Sequence, residues 1–115
     1  MKKIYHLSTC DTCKRILKEL ALTPDFELQD IKADAITADQ LDEMQQLSGS
    51  YEALFSKRAR LYKERDLKNQ NLTEEDCKNL ILEHYTFLKR PVMIAEGQIF
   101  IGNAKKTIEA AKAVI

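Results

Sequence analysis

The chain of 115 residues carries no excess of either charge, because 18 lysine and arginine residues balance 18 aspartate and glutamate residues. Binding to nucleic-acid phosphates depends on surplus positive charge, so we expect no direct contact with nucleic acid. No apolar run approaches the roughly 20 residues that span a bilayer. Met1-Lys2-Lys3 is followed by a strand pattern rather than by the apolar segment of a signal peptide. These absences predict a cytoplasmic protein without membrane contact.

Cysteine is also scarce. Three cysteines are present, and an odd, small number argues against the disulfide framework of a secreted domain. The sequence lacks internal repeats, linkers and low-complexity segments, and a chain of this length can bury a modest core without disulfides. We therefore predict one domain over residues 1–115. We expect a monomer, since no apolar stripe indicates self-association.

What the sequence does contain is a Cys-x-x-Cys pair, Cys10 and Cys13, where a strand-like run meets an amphipathic helix. Unpaired backbone N–H groups and the positive end of the helix dipole converge at a helix N-terminus and stabilise a thiolate. Cys10 is therefore the expected nucleophile, with a lowered pKa. Cys13 lies one turn further on the same helical face. A Cys-x-x-Cys pair beside a βαβ pattern is typical of a thioredoxin-like redox site.

An alternative for the same pair is half of a zinc site, which Cys77 and a histidine, His6 or His84, would complete. Zinc sites usually combine two paired clusters of ligands, whereas the further candidates here are scattered single residues. The spacing therefore favours thiol chemistry, and we expect no bound metal.

Hydrophobic periodicity predicts a strand, a helix and a second strand around this junction. Residues 3–7 form the first strand, residues 11–21 the helix, and residues 26–31, which alternate apolar and polar, the second strand. A strand-helix-strand unit of this length has parallel strands joined by a right-handed crossover.

The rest of the chain predicts a helical insertion and then a hairpin and a helix. The insertion covers about residues 36–88 and includes a buried stripe on one helix, formed by Leu41, Met44 and Leu47. Residues 92–95 and 98–101 predict a β-hairpin with a two-residue turn. One face of the final helix is apolar, with Ala104, Ile108, Ala111 and Ile115. The expected fold class is α/β, a four-stranded mixed sheet with the order β-α-β, helical insertion, β-β-α.

Three segments resemble the arsenate reductase (ArsC) family. They are Cys10-Asp11-Thr12-Cys13-Lys14-Arg15 after the first strand, residues 51–58, and Lys89-Arg90-Pro91-Val92. The segments occur in the family's order, and the resemblance covers essentially the full chain. The family includes the Spx-type redox regulators. The resemblance implies a thioredoxin-like fold.

The resemblance also implies roles for single residues. Cys10 matches the catalytic cysteine, Arg90 the arginine that binds an oxyanion beside it, and Pro91 the proline, usually cis, that packs against the active-site loop. Arg58 and Thr12 are further candidates for oxyanion binding. The physical chemistry agrees, because a helix N-terminus donates N–H groups to an anion and a guanidinium binds an oxyanion in bidentate fashion.

Two positions differ from the reductases of the family. Those enzymes have an arginine directly after two apolar residues, where this chain has Ser56 and its nearest arginine is Arg58. They also have an arginine between the last hairpin and the last helix, where this chain has Gly102-Asn103. The second cysteine, Cys13, resembles instead the Spx pattern, in which the pair is a disulfide switch.

Two functions follow from these features. In the first, Cys10 attacks an oxyanion such as arsenate, or a mixed disulfide, and Cys13 or an external thiol resolves the adduct. The external thiol would be glutathione, thioredoxin or glutaredoxin, and no bound cofactor is expected. In the second, the protein resembles Spx and docks on the α-subunit of RNA polymerase, and a Cys10–Cys13 disulfide alters that contact. The intact nucleophile site favours the first, an arsenate reductase-like thiol oxidoreductase.

Overall fold

The computed structural model describes residues 2–115 and contains two compact units. The first comprises the chain up to Asp34 and from Arg90 onward, and the second comprises Ala35–Lys89. The helical stretch expected at about residues 36–88 falls within the second unit. The single domain over residues 1–115 stays a prediction.

The first unit is built on a four-stranded mixed sheet with the order β2-β1-β3-β4. Strands β1 and β2 pair in parallel, and the other neighbours pair antiparallel. The strands are β1 (Lys2–His6), β2 (Glu27–Asp30), β3 (Val92–Ala95) and β4 (Gln98–Ile101). Both the four-stranded mixed sheet and the β-α-β, β-β-α order are confirmed.

The register of the sheet brings three chain segments to one edge. His6, the last residue of β1, is the partner of Asp30, the last residue of β2. Tyr5 is the partner of Val92, the first residue of β3. The turn after β1, the end of β2 and the residues just before β3 therefore lie close together.

Two helices pack on the sheet, α1 (Asp11–Leu20) and α5 (Lys105–Lys112). Each turns an apolar face toward the strands, because its buried residues recur at helical spacing. One cluster joins the helices to the sheet and contains Ile4, Ile16, Leu20, Phe26, Met93, Ala95, Ile108 and Ala111. Burial of this cluster fixes the direction of α1, and with it the position of its N-terminus.

The second unit is helical. It contains α2 (Ala38–Ser48), α3 (Arg60–Glu64) and α4 (Glu74–Glu83), with short 3-10 helices at Glu52–Leu54, Leu67–Asn69 and Tyr85–Phe87. Capping boxes start α2 at Thr37 and α4 at Thr73. In each, the threonine hydroxyl accepts from the backbone N–H three residues later, and the side chain of that later residue accepts from the backbone N–H of the threonine. The stacked rings of Phe55 and Phe87, with centroids 5.5 Å apart, lie in its core.

No helix within residues 2–115 has both the length and the apolar character that crossing a membrane requires.

Three expectations drawn from apolar patterns are wrong. Leu47, placed in the buried stripe of α2, is 39% exposed, whereas Leu41 and Met44 are fully buried. In the final helix, Ala104 and Ile115 lie outside Lys105–Lys112 and are exposed, and Val114 packs against the core instead. Helical spacing indicates which residues share a face, but not how much of that face is buried by the neighbouring elements.

The alternation of β2 also differs from expectation. Leu28 is 52% exposed, while its polar neighbour Gln29 is only 6% exposed. The buried amide of Gln29 is satisfied, because its Nε2 donates to the backbone oxygen of Asp34 at 3.0 Å. Strand β2 lies at an edge of the sheet, where one face is incompletely covered.

Two leucines of α2 test this assignment of its buried face. We expect Leu41→Ala to lower the free energy of unfolding by about 2 to 5 kcal/mol, because it leaves a cavity in a closed core. Leu47→Ala removes an exposed side chain of the same size, so its effect should stay within about 1 kcal/mol. Urea unfolding of both variants measures the difference, and equal losses would contradict the structure.

Candidate active site

The turn that joins β1 to α1 positions Cys10 at the start of the helix. The N–H of Cys10 donates to the backbone oxygen of Leu7 at 3.0 Å, which closes the turn, and Leu7 itself is buried. Cys10 is the N-cap residue, extended at φ −95° and ψ 116°, and its backbone oxygen accepts from the N–H of Lys14 at 3.0 Å. The sulfur of Cys10 is partly exposed and faces the open N–H groups of the first helical turn.

The pKa of Cys10 is lowered from its ordinary value by the groups around its sulfur. Partial burial alone would raise this pKa, but hydrogen bonding from the backbone N–H and the thiol of Cys13 and from the backbone N–H of Thr12 outweighs it. The positive charge of Arg90 adds to the effect. Each of these groups interacts more favourably with a thiolate than with a thiol, so Cys10 is the better nucleophile of the pair.

Cys13 has the opposite shift. Burial is the largest cause and raises the pKa of its thiol to about 11, against hydrogen bonding from the backbone of Leu7 that lowers it. The charge of the Cys10 sulfur raises it further, while Arg90 acts in the other direction. Cys13 is therefore the hydrogen-bond donor and Cys10 the acceptor. The two sulfurs are free thiols placed close to each other.

Arg90 and Pro91 belong to the first unit and directly precede β3, at the edge of the sheet where β1 ends. The Arg90–Pro91 peptide bond is cis, and Pro91 is buried. The backbone oxygen of Pro91 accepts from the N–H of Gly102 at 2.9 Å, which fixes the start of β3 against the end of β4. Arg90 is partly buried, and its charge acts on the sulfurs of both Cys10 and Cys13.

Sequence reasoning missed Asp30, whose carboxylate contacts the turn before Cys10. Ser8 donates its hydroxyl to one carboxylate oxygen at 2.6 Å and its backbone N–H to the other at 3.2 Å. The Ser8 hydroxyl, and then its N–H, lower the pKa of Asp30 from its ordinary value. The two residues are 22 positions apart, so no local sequence pattern predicts their contact. Parallel pairing of the two strands would have placed their carboxyl ends together.

The remaining candidates lie in different surroundings. Thr12 contributes its backbone N–H at the Cys10 sulfur, in the first turn of α1. Arg58 is exposed and belongs to the second unit, between a 3-10 helix and α3. Its role in oxyanion binding stays a prediction. Cys77 is buried in α4, and burial is the first cause that raises the pKa of its thiol.

Residues 2–115 contain no group of three or more histidine, cysteine, aspartate or glutamate side chains arranged to hold a metal ion. The zinc alternative for Cys10, Cys13 and Cys77 therefore has no set of ligands in the described part of the chain.

Comparison with known proteins identifies the family. A model of the ArsC family matches residues 5–111, nearly the whole chain. The chain belongs to the ArsC family. This confirms the family inferred from the segments around Cys10, Phe55 and Arg90, and the matched range includes all three cysteines and the cis-proline Pro91.

Relatives of this ArsC-family chain include proteins with different names. The global transcriptional regulator Spx 2 of Bacillus anthracis is 26% identical over 107 residues, which cover 89% of this chain and 79% of the relative. The arsenate reductase of Neisseria meningitidis is 38% identical over 50 residues, 44% of this chain and 43% of that one. An arsenate reductase structure from Vibrio cholerae superposes with a TM-score of 0.78 at 19% identity, covering 99% of this chain and 97% of that one. The fold is thus shared with ArsC-family structures.

The opposite pKa shifts predict an order of reactivity among the three thiols. At pH 7, iodoacetamide should modify Cys10 first, since a buried thiol with a pKa of about 11 is ionised to roughly one part in ten thousand. Cys13 and Cys77 should react only slowly in the folded protein and rapidly in urea. Peptide mass spectrometry of a time course measures the order. Equal labelling of Cys10 and Cys77 in the folded protein would contradict the site geometry.

Proposed function

We propose that the protein is a thiol-dependent reductase in which Cys10 attacks an oxidised substrate and Cys13 completes the exchange. The observation that carries the proposal is a hydrogen-bonded pair of sulfurs with opposite pKa shifts, one turn apart at a helix N-terminus beside Arg90. Such a pair supplies both a thiolate nucleophile and a second thiol kept protonated until it is needed.

For an oxyanion substrate such as arsenate, the Cys10 thiolate attacks arsenic, an S–As bond forms, and one As–OH group takes a proton from solvent and leaves as water. A second thiolate then attacks the Cys10 sulfur, so that an S–S bond forms and the S–As bond breaks. The electron pair of that bond stays on arsenic, which passes from As(V) to As(III) while two thiols become a disulfide. An external thiol such as glutathione, thioredoxin or glutaredoxin restores the pair.

A mixed disulfide would be reduced through the same two sulfurs. Cys10 attacks one sulfur of the substrate, forms a new disulfide and releases the first thiolate. Cys13 loses its proton, attacks the Cys10 sulfur and releases the second thiolate. Burial holds the pKa of Cys13 high, but the contribution from the negative charge of Cys10 disappears once that sulfur is bonded. The environment thus favours Cys10 as the first nucleophile and Cys13 as the second.

The groups that stabilise the thiolate also suit an oxyanion. The N–H groups of Thr12 and Cys13 and the guanidinium of Arg90 act at the Cys10 sulfur, so an anion bound there would meet the same positive ends. The set of arginines is incomplete, because this chain has Ser56 and the Gly102-Asn103 connection where the reductases have arginine. Disulfide substrates should therefore be tested as well as arsenate.

The test is turnover of glutathione with arsenate or with a mixed disulfide such as that of glutathione and cysteamine. Wild type should turn over at least one of them, and Cys10→Ser should abolish it. Arg90→Met should lower kcat/KM by about 100- to 1,000-fold if Arg90 stabilises charge in the transition state. Cys77→Ser is the matched control, because Cys77 lies in the second unit and should leave turnover unchanged. No difference between wild type and Cys10→Ser on either substrate would refute the reductase.

A second function is supported by the same pair of sulfurs and by the relative named as a global transcriptional regulator. In that case, oxidation of Cys10 and Cys13 to a disulfide, by loss of two electrons and two protons to a thiol oxidant, would change affinity for the α-subunit of RNA polymerase. We expect a regulator to bind purified α-subunit differently before and after oxidation, and Cys13→Ser to remove the difference. Weak and equal binding in both states would exclude this function.

A further inference from the structure

We propose that Asp30 is a positioning residue that holds the turn before Cys10 and so fixes the sulfur at the start of α1. The proposal rests on the thiolate chemistry proposed above. Asp30 ends β2 and lies beside His6 through the parallel register of the sheet. Its carboxylate does not touch the reacting sulfur, and it acts through the chain that carries it.

Hydrogen bonds hold this turn at alternate residues. The backbone oxygen of His6 accepts from the N–H of Ile31 at 2.9 Å, which continues the strand pairing by one step. Ser8 is next, and it gives both its hydroxyl and its N–H to Asp30. Cys10 follows, with its N–H on Leu7. In the described residues 2–115, the side chain of Asp30 therefore holds the middle of the turn.

Packing does little to hold the same segment. Ser8 and Thr9 are exposed, and the one buried apolar side chain of the turn is Leu7. An exposed segment with few apolar contacts depends on polar contacts for a fixed conformation. A bidentate contact to a carboxylate is stronger and more directional than a single bond between neutral groups.

Asp30 is itself held in place. The carboxylate oxygen that accepts the N–H of Ser8 also accepts the backbone N–H of Lys32 at 3.2 Å, so the turn that follows β2 fixes the side chain. The two turns, after β1 and after β2, are thereby joined through one carboxylate. Loss of that carboxylate would free the turn at Ser8 and let the Cys10 sulfur move away from the N–H groups of Thr12 and Cys13.

The direction in which the pKa of Cys10 changes distinguishes a positioning role of Asp30 from a direct effect of its negative charge. A loosened turn weakens the hydrogen bonds that the Cys10 sulfur accepts, so Asp30→Ala should raise the pKa of Cys10. A through-space effect would do the reverse, because removal of a nearby negative charge favours a thiolate. Asp30→Asn separates the two further, since its amide oxygen can accept the N–H of Ser8 and its amide nitrogen can donate to the hydroxyl.

The experiment is a pH series of iodoacetamide alkylation at Cys10, located by peptide sequencing, with thermal unfolding recorded for each variant. We expect Asp30→Ala to raise the pKa of Cys10 by about 0.5 to 1 unit, which lowers the alkylation rate about three- to tenfold at pH values well below that pKa. Ser8→Ala should raise it less, because the N–H of residue 8 still donates to Asp30. The double variant should be no worse than Asp30→Ala, because that change already removes both hydrogen bonds. Asp30→Asn should stay near wild type. Glu109→Ala, an exposed carboxylate on α5, is the control and should change nothing.

Each outcome decides the proposal. An unchanged or lowered pKa in Asp30→Ala would overturn it, as would identical behaviour of Asp30→Asn and Asp30→Ala. Should Asp30→Ala fail to fold, Ser8→Ala decides, and an unchanged pKa in that variant overturns the proposal. A wild-type Cys10 with no lowered pKa would instead refute the proposed thiolate chemistry, a failure that the wild-type titration alone reveals.

Discussion

The lowered pKa of Cys10 depends on the first turn of α1. The N–H groups at a helix start have no partner within the helix, and an anion placed there satisfies them. Two of these groups, at Thr12 and Cys13, act on the sulfur, and the thiol of Cys13 and the charge of Arg90 add to them. Burial works against all four. The pKa of Cys10 therefore stays lowered only while the turn, the helix and Arg90 keep their relative positions.

The sheet supplies those positions. Strand β1 is central, paired with β2 on one side and β3 on the other. Its parallel partner brings Asp30 to the turn before Cys10, and its antiparallel partner brings Arg90 and Pro91 to the same edge. Helix α1 is held on the sheet by the cluster that contains Ile16 and Leu20. An apolar core thus positions the polar groups around Cys10, which have little apolar packing of their own.

Much of this arrangement could be read from the sequence, because its signals are local. The strand before Cys10, the capping box at Thr37 and the two-residue turn of the hairpin each depend on a few neighbouring residues. The Cys-x-x-Cys pair indicated which cysteine has the lowered pKa, through the general behaviour of helix N-termini. The features that the sequence did not predict depend on residues far apart in the chain. Leu28 and Leu47 fit their patterns but lie exposed, since coverage depends on distant elements. The contact between Ser8 and Asp30 joins positions 22 residues apart and exists only once the strands pair.

The central claim is that the Cys10 sulfur is an anion held by helix N–H groups and Arg90. Titration of Cys10 by the NMR chemical shift of its Cβ atom, with and without arsenate, measures this most directly. The account predicts a pKa below the ordinary value of a cysteine, and a higher pKa when arsenate is present, because the added negative charge competes for the same donors. A pKa at or above the ordinary value, unchanged by arsenate, would contradict it.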